Sequence, residues 1–155
     1  MMFEKESVSR KIVHQLKYGS REKVGKILAE WTSESINFQE NKPDLIVSVP
    51  LHPKKLKKRG YNQLHLFAET LSKNTGIPFD HHLIRRNFYR KAQAKKDKSH
   101  RDETENLFSV TQEISDKHIL LVDDVFTTGN TMSSVAWEIL KAGKNQVSVL
   151  VMALD

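Results

Sequence analysis

The sequence predicts an α/β fold, a mainly parallel sheet flanked by helices. Three observations point there. Short apolar runs suited to strands alternate with stretches whose apolar residues recur at helical spacing. Turn residues separate the two kinds of segment. Two of the apolar runs end in loops rich in charged or hydroxylated residues, and ligands of open α/β sheets bind beyond the carboxyl ends of the strands.

The elements follow in order. A helical stretch runs over Val8 to Leu16, and Val24, Ile27, Leu28 and Trp31 continue at helical spacing. Pro43-Asp44 closes a polar loop before Leu45–Val49, a β-rich buried strand stopped by Pro50. Leu64, Phe67, Ala68 and Leu71 mark an amphipathic helix that Gly76 and Pro78 bring to an end. Short strands are expected at His81–Arg86 and Phe108–Val110, with a long charged loop, Arg90 to Glu105, between them. Lys117–Val122 is the next strand. Met132, Val135, Ala136, Ile139 and Leu140 form a helical stripe ending near Gly143, and Val147–Ala153 is the last strand. Trp31 and Trp137 sit on the stripes and are expected in the core.

A length of 155 residues suits one domain, with a helical entry segment at 1–42 and a core at 43–155. No apolar run approaches the roughly 20 residues of a membrane span, so no membrane insertion is expected. The first residues lack the apolar centre of a signal peptide. There is no cysteine, which excludes disulfides, thiol catalysis and thiolate zinc sites and fits a cytoplasmic protein. The net charge of +6 favours anionic partners as well as simple solubility. His81-His82 lacks a further ligand at metal spacing, so a transition-metal site is not expected.

The chemistry concentrates in Ile119–Thr131, where a strand delivers Asp123 and Asp124 into Thr127-Thr128-Gly129-Asn130-Thr131. Two carboxylates at a strand end also suit a phosphoacceptor site, a metal-dependent phosphatase or a mere helix cap. The hydroxyls, the permissive glycine and the coming helix N-terminus favour a phosphate beside vicinal hydroxyls. No Gly-x4-Gly-Lys-Ser/Thr loop occurs. A second segment follows the earlier strand: Pro50, Leu51, His52 and then Lys54 to Arg59, with five cations, and Gly60-Tyr61-Asn62-Gln63. Cations there can screen a polyanion.

The Ile119–Thr131 run resembles the binding signature for 5-phosphoribosyl 1-diphosphate (PRPP) of type I phosphoribosyltransferases. The Pro50–Gln63 run is similar to a hallmark of the ComF competence family, matched at His52, Arg59, Gly60, Asn62 and Gln63. The resemblance implies a type I phosphoribosyltransferase-like fold with a minimal hood, 43–155 being the PRPP-binding core. It makes Asp123 and Asp124 the ligands of the ribose hydroxyls and the candidate catalytic pair, with Mg2+ reaching them through PRPP. It places Thr127, Thr128, Gly129, Asn130 and Thr131 around the 5′-phosphate, and Pro50, Leu51, His52, Lys54 and Arg59 at the pyrophosphate. Arg90, Gln93, Lys95 and Arg101 fall in a flexible loop that closes over substrate in such enzymes. Phe126 stands where the family more often has an aliphatic residue, at a position expected to face the core. The zinc module that ComF proteins often carry at the N-terminus has no cysteines here to build it, so no structural zinc is expected. The implied role is in DNA uptake during natural competence. It would involve single-stranded DNA and a competence helicase, with or without transfer of phosphoribosyl to a nitrogenous acceptor.

Overall fold

The structure, a computed structural model, describes residues 22–87 and 107–154. Helix α1 (Glu22–Ser35) leads into strand β1 (Leu45–Ser48), the short helix α2 (Pro53–Arg59) and helix α3 (Gln63–Thr75). Strands β2 (Ile84–Arg86) and β3 (Phe108–Val110) precede the long strand β4 (His118–Phe126), helix α4 (Asn130–Lys141) and strand β5 (Gln146–Leu154). The expected helix at Val8–Leu16 and the loop at Arg90–Glu105 lie outside the described residues.

The sheet is parallel, ordered β1-β4-β5, with Ile119 opposite both Leu45 and Val147. A single parallel bridge from Ile46 to Phe79 extends it past β1. Strands β2 and β3 form a separate antiparallel pair, Arg86 opposite Phe108. Parallel strands need helical crossovers, which cover both faces. Alternation along the strands then divides the core in two. Leu120 and Val122 join Leu28, Phe67, Ala68, Leu71 and Met152 on the α1/α3 face. Ile119 and Leu121 join Leu83, Phe108, Val135 and Ile139 on the α4 face. This is the predicted architecture.

The amino ends of the strands are tied by polar bonds. Asp44 and His118 exchange two at 2.8 Å: the Asp44 N–H donates to the His118 carbonyl, and the His118 N–H donates to Asp44 Oδ2. The His118 ring Nε2 lies 2.8 Å from Ser148 Oγ. These bonds satisfy a buried histidine that would otherwise be costly inside the core.

The structure corrects two expectations about packing. Trp31 is 58% exposed and Trp137 55%, so neither is a core residue. Helix α1 packs mainly on one partner, α3, and only a narrow stripe around Leu28 and Ala29 is covered. Trp137 lies off the buried row Met132, Val135, Ile139 and has Lys141 Nζ 5.7 Å from its ring. The basic run also contains a helix that the sequence reading took for a loop. Its signals were local: Pro53 opens α2 and Gly60, at φ 79°, closes it.

Phe67 is 1% exposed at the centre of the α1/α3 core. Phe67→Ala should cost about 3–5 kcal/mol of stability in urea unfolding. A loss below about 1 kcal/mol would contradict this packing.

Candidate functional site

Pairing of β1 with β4 brings the two chemistry-bearing loops together. Ser48 lies opposite Val122, and the Val49 N–H donates to the Val122 carbonyl at 3.0 Å. Both chains therefore leave the sheet side by side at its carboxyl end. Between them opens a cavity of about 320 Å³, lined by the Val49–His52 segment, Lys55, Arg59, Leu64, Arg86, Asp123, Asp124, Val125, Thr127 and Thr131.

One wall is acidic. Asp124 is 9% exposed, Asp123 is partly buried, and Asp123 Oδ1 accepts the Asp124 N–H at 2.8 Å. That bond fixes one carboxylate against the backbone. The opposite wall is cationic. His52 caps α2, its Nδ1 accepting the Lys54 N–H at 3.1 Å. An imidazole that accepts through Nδ1 carries its proton on Nε2, which makes His52 a donor. Lys55, rather than the expected Lys54, is in the wall, because successive side chains of α2 point about 100° apart around the helix. Asn62, largely buried, caps α3 through its side chain and so holds the segment just behind Arg59.

Arg86 was missed as a member of this wall. It stands at the end of β2, with its guanidinium 5.2 Å from the Phe108 ring centroid. Burial lowers its pKa from the ordinary arginine value. It stays charged, so the shift registers the cost of holding a cation partly out of water. Its place where a strand meets a charged loop marks the segment as ligand-facing in the sequence, but the β2–β3 pair is what brings Arg86 itself to the cavity mouth.

The Thr127–Thr131 loop surrounds a smaller cavity of about 60 Å³, which Asp123, Val125, Phe126 and Met132 also line. Thr127, Thr131, Asp123 and Val125 line both cavities. Gly129 is the N-cap of α4 and makes no side-chain cap bond, so the first N–H groups of the helix are left for a ligand or solvent. Gly129 has φ 76°, and a Cβ there would meet Phe126 Cζ at 2.8 Å. Phe126 is 38% exposed, not turned into the core as expected. Its ring instead lies against the loop, where the small glycine leaves room. Of the remaining sequence candidates, Pro50 and Leu51 line the large cavity, whereas Arg90, Gln93, Lys95 and Arg101 lie outside the described residues.

Behind the cationic wall sit three histidines. The His65 ring centroid is 5.1 Å from that of His81, which is 3.7 Å from that of His82. Among the described residues no group of three or more His, Cys, Asp or Glu side chains is disposed to hold a metal ion.

The family model described as Phosphoribosyl transferase domain matches residues 14–154. The chain is 32% identical over 146 residues to the DNA utilization protein YhgH of Salmonella typhi, covering 89% of this chain and 63% of that protein. It is 32% identical over 127 residues to competence protein ComFC of Bacillus subtilis, covering 81% and 50%. It thus spans about half to two thirds of these relatives. A purine phosphoribosyltransferase structure from Pyrococcus horikoshii superposes with a TM-score of 0.54 at 24% identity, covering 83% of this chain and 71% of that one. The glutamine PRPP amidotransferase of B. subtilis gives 0.63 at 18% identity over 90% and 30%. These structures show a shared type I phosphoribosyltransferase fold.

His65 gives the stability of the fold a pH dependence. Its pKa is lowered from 6.5, first by burial, then by His81, with Glu69 opposing and His82 adding a little. A histidine depressed in the folded state binds protons more readily when unfolded. The stability it contributes is therefore present above the unfolded pKa and is lost as pH falls through the folded one. The melting temperature should drop as pH is lowered from about 7 to about 5, and drop less in His65→Gln. Equal drops in the two proteins would refute the assignment.

Proposed function

We propose, given that this chain belongs to the phosphoribosyl transferase domain family and has ComF competence proteins among its relatives, that its paired cavities bind PRPP with Mg2+. One observation carries this reading. Asp123 and Asp124 stand between a phosphate-sized loop cavity on one side and the His52, Lys55, Arg59 and Arg86 wall on the other. PRPP has the same order of groups: a 5′-phosphate, two ribose hydroxyls and a diphosphate.

In this reading the Thr127–Thr131 loop and the first N–H groups of α4 take the 5′-phosphate. Asp123 and Asp124 accept hydrogen bonds from the ribose hydroxyls. His52, Lys55, Arg59 and Arg86 balance the diphosphate charge. The donor set fits a magnesium ion that arrives with the diphosphate: it offers hard carboxylate oxygens, and among the described residues no third ligand stands with them to build a protein-held cage. Bound so, the ion neutralises diphosphate charge.

The same arrangement can assist transfer to a nitrogenous acceptor. As the bond from C1 to the diphosphate breaks, positive charge develops on the ribose ring. The Asp123 and Asp124 carboxylates lie where they can stabilise that charge, and the cationic wall holds the leaving pyrophosphate. No protein nucleophile is needed. Asp123→Asn with Asp124→Asn should weaken Mg·PRPP binding at least about tenfold in calorimetry. Unchanged affinity would refute the site. Pyrophosphate release from Mg·PRPP with a panel of nitrogenous bases tests transfer itself.

A second reading is favoured by the relatives named for competence and DNA utilization and by the net charge of +6. Here the chain is a non-catalytic module that binds single-stranded DNA, works beside a competence helicase, and uses PRPP as a ligand or regulator. Affinity for a short oligothymidylate should then be measurable at low salt and fall steeply as salt rises. No binding at low salt would exclude it. Among the described residues no helix is long and apolar enough to cross a membrane.

A further inference from the structure

Beside the large cavity lies a second opening of about 430 Å³, and neither reading above uses it. Pro50, Leu51, Pro53, His81, His82, Ile84, Arg85, Arg86 and Thr111 line it. Pro50, Leu51 and Arg86 belong to both openings, so the two are continuous. Three features of the lining bear on what it holds.

The first is charge. Two guanidiniums and two imidazoles face a groove in whose lining, among the described residues, no carboxylate stands. The nearest acid in sequence, Asp80, is engaged elsewhere: Oδ1 accepts the N–H groups of His82 and Leu83 at 2.7 and 3.1 Å, and Oδ2 accepts from Gln112 Nε2 at 3.0 Å. Arg86 is partly buried against Phe108, and among the described residues neither Arg85 nor Arg86 has a carboxylate partner. A partly desolvated guanidinium without an acid is a standing site for an anion.

The second is shape. His81 and His82 have ring centroids 3.7 Å apart at an interplanar angle of 44°, and both are exposed. Imidazole faces of this kind, with the apolar rings of Pro50 and Pro53 beside them, suit a planar aromatic ligand. The third is support. The Thr111 hydroxyl donates to the His82 carbonyl at 2.7 Å and the Thr111 N–H to the Leu83 carbonyl at 2.9 Å, which holds the histidine turn against β3.

We propose that this groove is a nucleotide-binding site, taking a phosphate between Arg85 and Arg86 and a base against His81 and His82. It adjoins the paired cavities and shares Arg86 with the diphosphate wall, but His81, His82 and Arg85 are not among the lining of those cavities, so it stands whether or not they bind PRPP. The shared chemistry is one nucleotide unit, supplied either as a free monophosphate or within a single strand.

Calorimetry on the full chain tests this with thymidine 5′-monophosphate, thymidine and a short oligothymidylate. Either phosphate-bearing probe should bind at least about tenfold more tightly than thymidine. Substituting His81→Ala, His82→Ala and Arg85→Ala together should remove at least about tenfold of that affinity while Mg·PRPP binding and the far-ultraviolet dichroism stay as they were. Binding of the monophosphate assigns the groove to free nucleotides; binding of the oligonucleotide alone assigns it to a strand. The proposal is overturned if neither probe binds or if the triple variant binds both as the native chain does. It also fails if Asp123→Asn with Asp124→Asn abolishes monophosphate binding, since the nucleotide would then have occupied the main cavity.

Discussion

The site depends on the parallel pairing of β1 with β4. That ladder places Ser48 opposite Val122, so the cationic segment beginning at Pro50 and the acidic pair at Asp123 start from one line. Side chains alternate along a strand, so a slip of one residue would turn every side chain of β4 to the other face of the sheet. Both halves of the core resist such a slip. Leu120 and Val122 are buried toward α1 and α3, and Ile119 and Leu121 are buried toward α4. The carboxylates are thus aimed by four apolar residues that never meet a ligand.

The opposite charges that line this cavity come from different elements. The acids are carried by a central strand with neighbours on both sides, the least adjustable element of the fold. The cations come from a seven-residue helix and a three-residue strand. Such short elements are held by few backbone bonds, so the cationic wall can shift while the acidic wall stays fixed. A ligand with an anionic group and neutral hydroxyls would draw on that difference.

Much of this was legible in the sequence. The alternation of strands and helices, the strand end at Asp123-Asp124 and the glycine-containing turn each carry a local signature, and local signatures survive folding. What the sequence could not yield depended on contacts between segments. Arg86 enters the cavity through the pairing of β2 with β3, a long-range contact with no trace in the local pattern. Trp31 and Trp137 keep helical spacing but fall just outside the stripes their neighbours cover. Lys54 and Lys55 are chemically the same, and only the helical turn after Pro53 decides which reaches the wall. Phe126 is still paired within β4, opposite Leu154, and the space over Gly129 rather than the strand pattern sets its ring.

The bonds among Asp44, His118 and Ser148 give the sheet one sewn end and one open end. At the sewn end, polar groups spend their hydrogen-bonding capacity on each other and hold three neighbouring strands in step. At the open end the strands are released into loops whose polar groups are left for solvent or ligand. Distance from the cavity is therefore a poor guide to relevance in this fold. Asp44 touches no part of the ligand-facing surface, yet it helps set where β4 begins, and where β4 begins determines where its two carboxylates arrive.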